Sequence, residues 1–333
     1  MKIGFFEIAE WEKNYISAKL LGHNLFFEDK SSGKEVPADI EILSNFVGFP
    51  VTEQLLEKFS NLKYITTRST GFDHIDLKAC ALKNILVSNV PTYGENTVAE
   101  FAFSLMLALS RKVYPAVKQV KEQGLFGTEG LQGFDLKGKK LGVVGTGHIG
   151  TYVIKIAKGF DMEVVAYDPF PKNELATQFG FTYVTLEELL KTSDIVTLHV
   201  PYMPATHHII NSQNITLLKP SSILINTARG GLVETSALVD ALKLGKIAGA
   251  GLDVLEEEGF IKEELEMFSK GHPNEQQLKI ALADHELMYM ENVLVTPHNA
   301  FNSHEALQRI LDTTINNIAG FSKGQPVNIV KLT

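Results

Sequence analysis

Hydrophobic and polar positions along this chain alternate between two periodicities. Short apolar runs typical of buried strands are separated by stretches in which apolar residues recur at helical spacing, such as 52–59. The predicted strands of the first hundred residues are 2–6, 23–27, 40–46, 64–67 and 86–88. Strands that alternate with helices predict an α/β fold with a parallel sheet.

The pattern changes after residue 90. Residues 96–113 are apolar on most faces, which predicts a long helix buried on most sides. A stretch without clear periodicity, 124–140, precedes a second series of strands at 140–144, 163–167, 195–199, 223–226, 249–254 and 293–296. Six strands with crossover helices match a complete dinucleotide-binding domain. A last helical pattern, 303–321, could return to the first sheet and make the first domain discontinuous.

Composition and charge narrow the class of protein. The 333 residues suggest two domains of about 100–200 residues each, and 44% hydrophobic residues can fill a core in both. A net charge of −8 argues against nucleic-acid binding and against an anionic membrane surface, because both need basic patches. The single cysteine, Cys80, favours a reducing compartment. With no secretion signal and no run of ~18 apolar residues, a cytoplasmic protein is expected.

The first strand of the second series ends in a glycine-rich turn. Gly145, Gly147 and Gly150 form a G-x-G-x-x-G pattern that opens a predicted helix over 148–160. The first glycine of such a turn permits the tight bend, the second lets the backbone approach a pyrophosphate, and the third lets the helix pack against the strand. The helix offers its first N–H groups to the phosphates. An ordinary glycine turn and a methyltransferase motif are alternatives, but the strand–turn–helix context favours a dinucleotide.

An acidic residue, Asp168, ends the next predicted strand. It follows Gly150 by 18 residues, near the spacing of about 20 expected for a carboxylate that accepts hydrogen bonds from the adenosine ribose hydroxyls. A carboxylate at this place repels the 2′-phosphate of NADP. The sequence therefore predicts NAD as the cofactor.

Polar residues follow three later strands of the second series. Arg229 comes first, then the acidic run of Glu256, Glu257 and Glu258, and then His298. In open α/β sheets ligands bind at the carboxyl ends of the strands, so these side chains are expected near the cofactor. A surface ion pair, a solvated acidic run and an ordinary loop histidine are the structural alternatives.

These residue types suit acid–base chemistry on a carboxylate-bearing substrate. The guanidinium of Arg229 presents a planar fork that matches a carboxylate. His298 is the group whose ordinary pKa lies near neutrality, as an acid–base catalyst requires. A neighbouring carboxylate raises the pKa of a histidine and fixes its tautomer, a role that Glu258 suits.

The chain resembles the D-isomer-specific 2-hydroxyacid dehydrogenases, and most closely the D-lactate dehydrogenase branch of that family. The matching motifs cover nearly the whole chain. They are RSTGFDHIDL at 68–77, NVPTYGENTVAEF at 89–101, VVGTGHIG at 143–150, VVAYDPF at 164–170, HVPYMPATHHIIN at 199–211, NTARGGLV at 226–233, GLDVLEEEGF at 251–260 and TPHNAF at 296–301.

The resemblance implies an α/β fold of two Rossmann-like or flavodoxin-like domains with a cleft between them. The NAD-binding Rossmann domain is then inserted in the middle of the chain, at 100–299. The substrate, or catalytic, domain is discontinuous and comprises 1–99 and 300–333. The family also implies a homodimer, with which the apolar 96–113 helix is compatible.

The resemblance also assigns site residues. Its catalytic trio falls on Arg229, Glu258 and His298, because the family's carboxylate stands five positions after the aspartate that matches Asp253. The implied cofactor-binding residues are Gly145, Gly147, His148, Ile149, Gly150, Asp168, Val200, Pro201, Thr227, Ala228 and Asp253. The implied substrate-binding residues are Thr70, Gly71, Tyr93, Phe301 and, by a looser alignment that leaves core packing open, Phe46.

Two features depart from the family pattern. The family commonly has Ser-Arg-Gly-Pro or Ala-Arg-Gly where this chain continues from Arg229 into Gly230-Gly231, a change expected to leave the arginine in place. The pair His207-His208 has no catalytic counterpart, and no further ligands stand at metal-binding spacing, so no metal is expected.

The reaction implied by the resemblance is the reversible reduction of a 2-keto acid, first of all pyruvate, to the D-2-hydroxy acid with NADH. Reductases for bulkier 2-keto acids such as 2-ketoisocaproate or phenylpyruvate are the alternative, followed by glyoxylate or hydroxypyruvate reductases. Outside the enzymes, an NAD-sensing corepressor or scaffold is the competing class. Tyr93 and Phe301 favour a small to medium apolar substrate side chain.

Overall fold

The computed structural model describes residues 1–28, 36–256, 258 and 275–331. The chain divides into two compact units, a first of Met1–Tyr93 with Asn302–Thr333 and a second of Gly94–Phe301. Each unit has its own parallel β-sheet, which confirms the predicted α/β class with two Rossmann-like domains. The division falls close to the predicted domain boundaries at 99–100 and 299–300.

Most of the strands are buried. In the first unit the strands are β1 Lys2–Phe6, β2 Asn24–Glu28, β3 Ile42–Asn45, β4 Tyr64–Thr67 and β5 Leu86–Ser88. In the second unit they are β6 Lys140–Val144, β7 Glu163–Tyr167, β8 Thr182–Tyr183, β9 Ile195–Leu198, β10 Ile223–Asn226, β11 Gly249–Leu252 and β12 Val293–Val295. The exceptions to burial are β2, β8 and β12, which are largely of intermediate exposure. The strand order is β2-β1-β3-β4-β5 in the first sheet and β12-β11-β10-β9-β6-β7-β8 in the second.

The helices of the described residues connect these strands. They are α1 Glu10–Lys19, α2 Glu53–Leu56, α3 Leu77–Leu82, α4 Glu95–Ser110, α5 Val113–Gln123, α6 His148–Gly159, α7 Asn173–Phe179, α8 Leu186–Thr192, α9 Thr235–Lys243, α10 Glu275–Tyr289 and α11 His304–Ser322. Four of them begin after a side chain that accepts a hydrogen bond from the first turn, namely Thr52, Asp76, Thr185 and Ser303. None of the helices in the described ranges is long and apolar enough to span a membrane.

The long helix predicted over 96–113 is shorter in the structure. α4 ends at Ser110, and Lys112 takes a left-handed φ of 51° before α5 begins. The amide of Phe134 donates to the Ser110 carbonyl at 2.8 Å, which satisfies one of the last carbonyls of α4. A partner so distant in sequence has no local signal, and the prediction therefore ran on to residue 113.

The second sheet has one strand more than the six predicted. The additional strand, β8, consists of Thr182 and Tyr183 and pairs in parallel with β7. Two residues are too few to produce a periodic pattern, which explains why the strand was missed.

The carboxyl-terminal helix packs on the first sheet. Ile3, Phe5 and Ile42 of that sheet share a hydrophobic cluster with Leu311 and Ile318 of α11. Burying a side chain of this size stabilises the fold by about 1.5–3 kcal/mol. The chain therefore returns to its first sheet after completing the second unit.

Candidate active site

The glycine turn lies where the strand order of the second sheet reverses, between β6 and β9. Gly145 has a φ of +97°, and a Cβ on it would lie 2.8 Å from the Val200 nitrogen at the end of β9. A Cβ on Gly150 would lie 2.0 Å from the Gly145 carbonyl oxygen. The tight bend and the close approach of α6 therefore both require glycine.

Gly147 differs from its two neighbours in the motif. A Cβ on it would meet nothing within 4 Å in the described chain, so protein packing does not require glycine there. It stands directly before the first turn of α6, whose N–H groups and dipole favour a phosphate. Nearby in the fold, at the end of β10, the buried hydroxyl of Thr227 has no hydrogen-bond partner among the described residues. Open space at the turn and an unpaired hydroxyl fit a bound dinucleotide.

Asp168 is hydrogen-bonded to the glycine turn. Its Oδ2 accepts from the amide and the hydroxyl of Thr146 at 2.7 and 2.9 Å, and its Oδ1 accepts from the Phe170 amide at 2.9 Å. The hydroxyl of Tyr183 lies 2.9 Å from that of Thr146 and so extends this network to β8. Thr146 and Tyr183 were missed by the sequence analysis, because a threonine between two glycines and a tyrosine in a short strand carry no motif.

The edge of the sheet beside β11 and β12 is organised by Asp253, which is 1% exposed. Its carboxylate accepts hydrogen bonds from the Asn299 and Ala300 amides at 2.8 and 2.7 Å and from the Thr296 hydroxyl. Its backbone carbonyl accepts from the His298 amide at 2.8 Å. Burial raises the pKa of Asp253, and these donors lower it. Asp253 therefore fixes the loop that follows β12.

That loop brings two predicted site residues together. The Nδ1 of His298 lies 3.0 Å from the Oε2 of Glu258, and the Glu258 Oε1 accepts from the Leu255 amide at 3.2 Å. Both side chains are 26% exposed. His298 has a left-handed φ of 52°, which is uncommon outside glycine and is typical of functional sites. With Nδ1 directed to a carboxylate, Nε2 is the nitrogen that can face a ligand.

Glu256 has different partners from Glu258. Its Oε1 lies 2.6 Å from the Nε2 of His208, and its Oε2 accepts from the Thr235 amide and hydroxyl at 3.2 and 2.8 Å. The rings of His207 and His208 stack at 3.7 Å. The histidine pair thus has a structural role that the sequence analysis did not identify. Glu257 lies outside the described residues.

Arg229 stands on a turn that packs against the segment leading to Glu258. A Cβ on Gly230 would lie 1.9 Å from the Leu255 carbonyl oxygen, so the two backbones touch there. The Asn226 side chain brackets the turn, because its amide donates to the Arg229 carbonyl at 2.9 Å and its oxygen accepts from the Ala228 amide at 3.0 Å. The turn and the Glu258 segment are therefore positioned together.

The other predicted cofactor residues also lie at the ends of central strands. His148 and Ile149 open α6, and Val200 and Pro201 follow β9, with Val200 buried and Pro201 exposed. Ala228 follows β10. Within the second unit, a cavity of about 1100 Å³ is lined by Asp253, Glu258 and His298 together with residues of α4 and α5. Within the described ranges, no group of three metal-ligating side chains occurs.

The predicted substrate residues fall in both units. Thr70 and Gly71 follow β4, where the Thr70 hydroxyl donates to the Val90 carbonyl at 2.8 Å. Phe46 follows β3 and is half-buried, and Tyr93 is the last residue of the first unit's amino-terminal part. Phe301 is the last residue of the second unit.

Comparison with known proteins gives a consistent result. Residues 103–300 match the family model of the D-isomer specific 2-hydroxyacid dehydrogenase, NAD binding domain. A 2-hydroxyacid dehydrogenase homolog of Haemophilus influenzae is 36% identical, over 98% of this chain and 97% of the relative. A glyoxylate reductase of Thermococcus litoralis is 37% identical, over 88% of this chain and 84% of the relative. The crystal structure of D-lactate dehydrogenase from Aquifex aeolicus, complexed with NAD and lactic acid, is similar with a TM-score of 0.85 and 37% identity, covering 97% of this chain and 96% of that one.

The chain therefore belongs to the D-isomer-specific 2-hydroxyacid dehydrogenase family. It is an NAD-dependent oxidoreductase acting on small hydroxy or keto acids, as the sequence predicted.

Proposed function

We propose that this protein is a D-lactate dehydrogenase that reduces pyruvate to D-lactate. The observation that carries the proposal is the His298–Glu258 pair at 3.0 Å, at the same edge of the second sheet as the glycine turn. The similarity to a D-lactate dehydrogenase whose crystal structure contains NAD and lactic acid supports pyruvate as the substrate. In the balanced reaction, pyruvate, NADH and one proton give D-lactate and NAD⁺.

Bound NADH supplies the hydride for the carbonyl carbon. His298 holds the proton on Nε2 and donates it to the keto oxygen as negative charge develops there. Glu258 stabilises the protonated ring through Nδ1 and keeps it in the orientation that donation needs. Arg229 binds the substrate carboxylate and polarises the keto oxygen with its guanidinium. In the reverse direction, His298 accepts the proton of the hydroxyl.

We also assign the binding of substrate and cofactor. The first unit is the substrate domain, in which the backbone of Thr70 and Gly71 binds the carboxylate. Tyr93, Phe301 and Phe46 are each assigned to contact with the substrate side chain. The cofactor is held by the glycine turn, by the other residues named for it at the strand ends, and by Asp168, which selects NAD over NADP. A cytoplasmic location remains a prediction of the sequence.

A substrate panel tests this function. Initial rates with NADH are compared for pyruvate, glyoxylate, hydroxypyruvate, 2-ketoisocaproate and phenylpyruvate, and the lactate formed is analysed for chirality. We expect the highest kcat/KM with pyruvate, D-lactate as the product, and a preference for NADH over NADPH. A higher kcat/KM with a bulkier acid would reassign the substrate, and no turnover with any of them would favour an NAD-sensing protein without catalysis.

We further propose that the enzyme is a homodimer and that α5 lies in its interface. α5 buries none of its residues, and its Val113, Val117 and Val120 are 48%, 45% and 46% exposed on one face. An apolar helix face of this kind marks an interaction surface. Sedimentation equilibrium should show a dimer for the wild type and weaker association for Val117→Lys. Lys121→Gln, on the same helix, is the matched control, and a monomeric wild type would refute the proposal.

A further inference from the structure

The first sheet has a switch point of its own. Its strand order reverses between β1 and β3, and ligands of open α/β sheets bind at the carboxyl ends of the strands beside such a point. Glu7 directly follows β1, and Phe46 directly follows β3. Glu7 has a left-handed φ of 53°, a conformation that is costly for a residue with a side chain and persists only where its surroundings enforce it.

A buried arginine enforces that conformation. Arg68 follows β4 and is only 2% exposed. Its Nη2 donates to the carbonyls of Phe6 and Glu7 at 2.7 and 2.6 Å, and its Nη1 donates to the Ser44 hydroxyl at 3.2 Å. Hydrogen bonds from a charged donor are roughly twice as strong as neutral ones. The guanidinium thus fixes the backbone of Glu7.

The Glu7 side chain in turn holds the loop that carries Phe46. Its Oε2 accepts from the Phe46 amide at 3.1 Å. A Cβ on Gly48 would lie 2.2 Å from the Glu7 Oε1, so the loop closes tightly over the carboxylate. Burial raises the pKa of Glu7, and Arg68 and the amides of Phe46, Gly48 and Phe49 lower it.

The two phenylalanines of this loop differ in their surroundings. Phe49 is 2% exposed and stacks on Phe6 at 4.3 Å, so its ring anchors the loop in the core. Phe46 is only half-buried at the switch point. The carboxylate accepts a hydrogen bond from the amide at the half-buried end, and the amide at the anchored end lowers its pKa.

We propose that Glu7 is a positioning residue that holds loop 46–49 at the switch point and thereby limits the length of the substrate side chain. The proposal rests on the proposed function, in which Phe46 borders the substrate. Glu7 itself does not touch the substrate. It determines where Phe46 stands, and the consequence appears only with substrates long enough to reach that ring.

The variant Glu7→Gln tests the proposal. The smallest and the largest aliphatic 2-keto acids that the wild type reduces are compared. We expect the KM of the large acid to change by about tenfold, the effect of losing one charge-assisted hydrogen bond. The KM of the small acid, kcat and NADH affinity are expected to stay within about twofold. Amide exchange at Phe46 and Phe49, followed by NMR, should accelerate by about tenfold.

Two further variants provide a second test and a control. Gly48→Ala displaces the carboxylate without changing the charge and should reproduce both effects if Glu7→Gln fails to fold. Glu10→Gln removes an exposed glutamate from the first turn of α1, where it pairs with Lys13, and should change neither. A KM change shared by both acids, or unchanged loop exchange, would overturn the proposal. A wild type that reduces no 2-keto acid would refute the proposed function instead, and the exchange rates would still decide whether Glu7 holds the loop.

Discussion

Two loops of this enzyme, one in each unit, are held by a carboxylate that follows the neighbouring strand. This residue is buried in the case of Asp253 and half-buried in the case of Glu7. Asp253 follows β11 and binds the loop after β12, and Glu7 follows β1 and binds the loop after β3. A residue with left-handed backbone stands at each place, His298 at φ 52° and Glu7 at φ 53°. Burial raises the pKa of both carboxyls, and backbone amides lower it.

The two loops differ in what they carry. The loop bound by Asp253 carries the imidazole that we propose as proton donor, whereas the loop bound by Glu7 carries the aromatic ring that we propose as a wall of the substrate site. If both proposals hold, the same arrangement of carboxylate and amides serves proton transfer in the second unit and selection of the substrate in the first. Substitutions in the second unit are expected to lower kcat, and those in the first are expected to change KM.

The largest effect is expected for His298→Ala. Loss of the proton donor should lower kcat for pyruvate reduction by roughly 10²–10⁴-fold, the contribution typical of general acid–base catalysis. NADH affinity, measured by fluorescence titration, should stay near the wild-type value. His304→Ala, which removes an exposed histidine of the first unit, is the control. Near-normal turnover by His298→Ala would remove this residue from the mechanism.

Asp253→Asn is expected to have the next largest effect. The amide group cannot accept from all the donors that now reach the carboxylate, so the His298 loop shifts. A misplacement of about 1 Å costs on the order of 10²-fold in rate. We expect a loss of that size in kcat with little change in the KM of the keto acid, the opposite of Glu7→Gln. Asp240→Asn, on an exposed position of α9, is the control. If Asp253→Asn changed only KM, the expectation that the two loops affect different kinetic constants would be wrong.

The sequence predicts these two regions unequally. The bounds of β6 and β10 were predicted to the residue because each strand is a mostly apolar run, with Lys140 at the start of β6 and Asn226 at the end of β10. The proximity of Glu258 and His298 was also predicted, since parallel strands present their carboxyl ends at one edge. The role of Arg68 was not predicted, although the residue stands in a family motif. Arginine is rarely buried, and its acceptors come from two other strands.

The same limit applies to pairs that are distant in sequence. Glu256 and His208 meet through the packing of separate loops, and neither residue carries a local signal for the other. Motifs of glycines and capping residues can be predicted from the sequence, because the local backbone conformation itself requires these residue types. Contacts that depend on the final packing of several elements have no such local cause.

Glu258→Gln is expected to have a smaller effect that depends on pH. A neutral amide stabilises the imidazolium less than a carboxylate does, so the alkaline limb of the kcat/KM profile for pyruvate reduction should move to lower pH. Glu256→Gln is a matched control from the same segment, because its partners are His208 and Thr235. An equal displacement in both variants would show that the segment as a whole, rather than Glu258, determines the profile.

The smallest expected effect concerns stability and compares the two carboxyls directly. Burial raises the pKa of Glu7 above 4.5 and that of Asp253 above 3.8, so the folded protein retains protons that the unfolded chain releases. Their contribution to the free energy of unfolding is complete below those ordinary values and is lost as the pH rises through the raised ones. The wild type should therefore lose stability relative to Glu7→Gln, and relative to Asp253→Asn, as the pH rises from about 4. Urea unfolding at a series of pH values measures how the difference in free energy of unfolding between wild type and variant depends on pH. The other ionisable groups are common to all variants, so their contributions cancel in this difference. If the stability difference from the wild type depended on pH for only one of the two variants, only that carboxyl would be destabilised by burial. The other carboxyl would then be fully stabilised by its hydrogen-bond donors, and the two loops would be held by different balances of burial and hydrogen bonding.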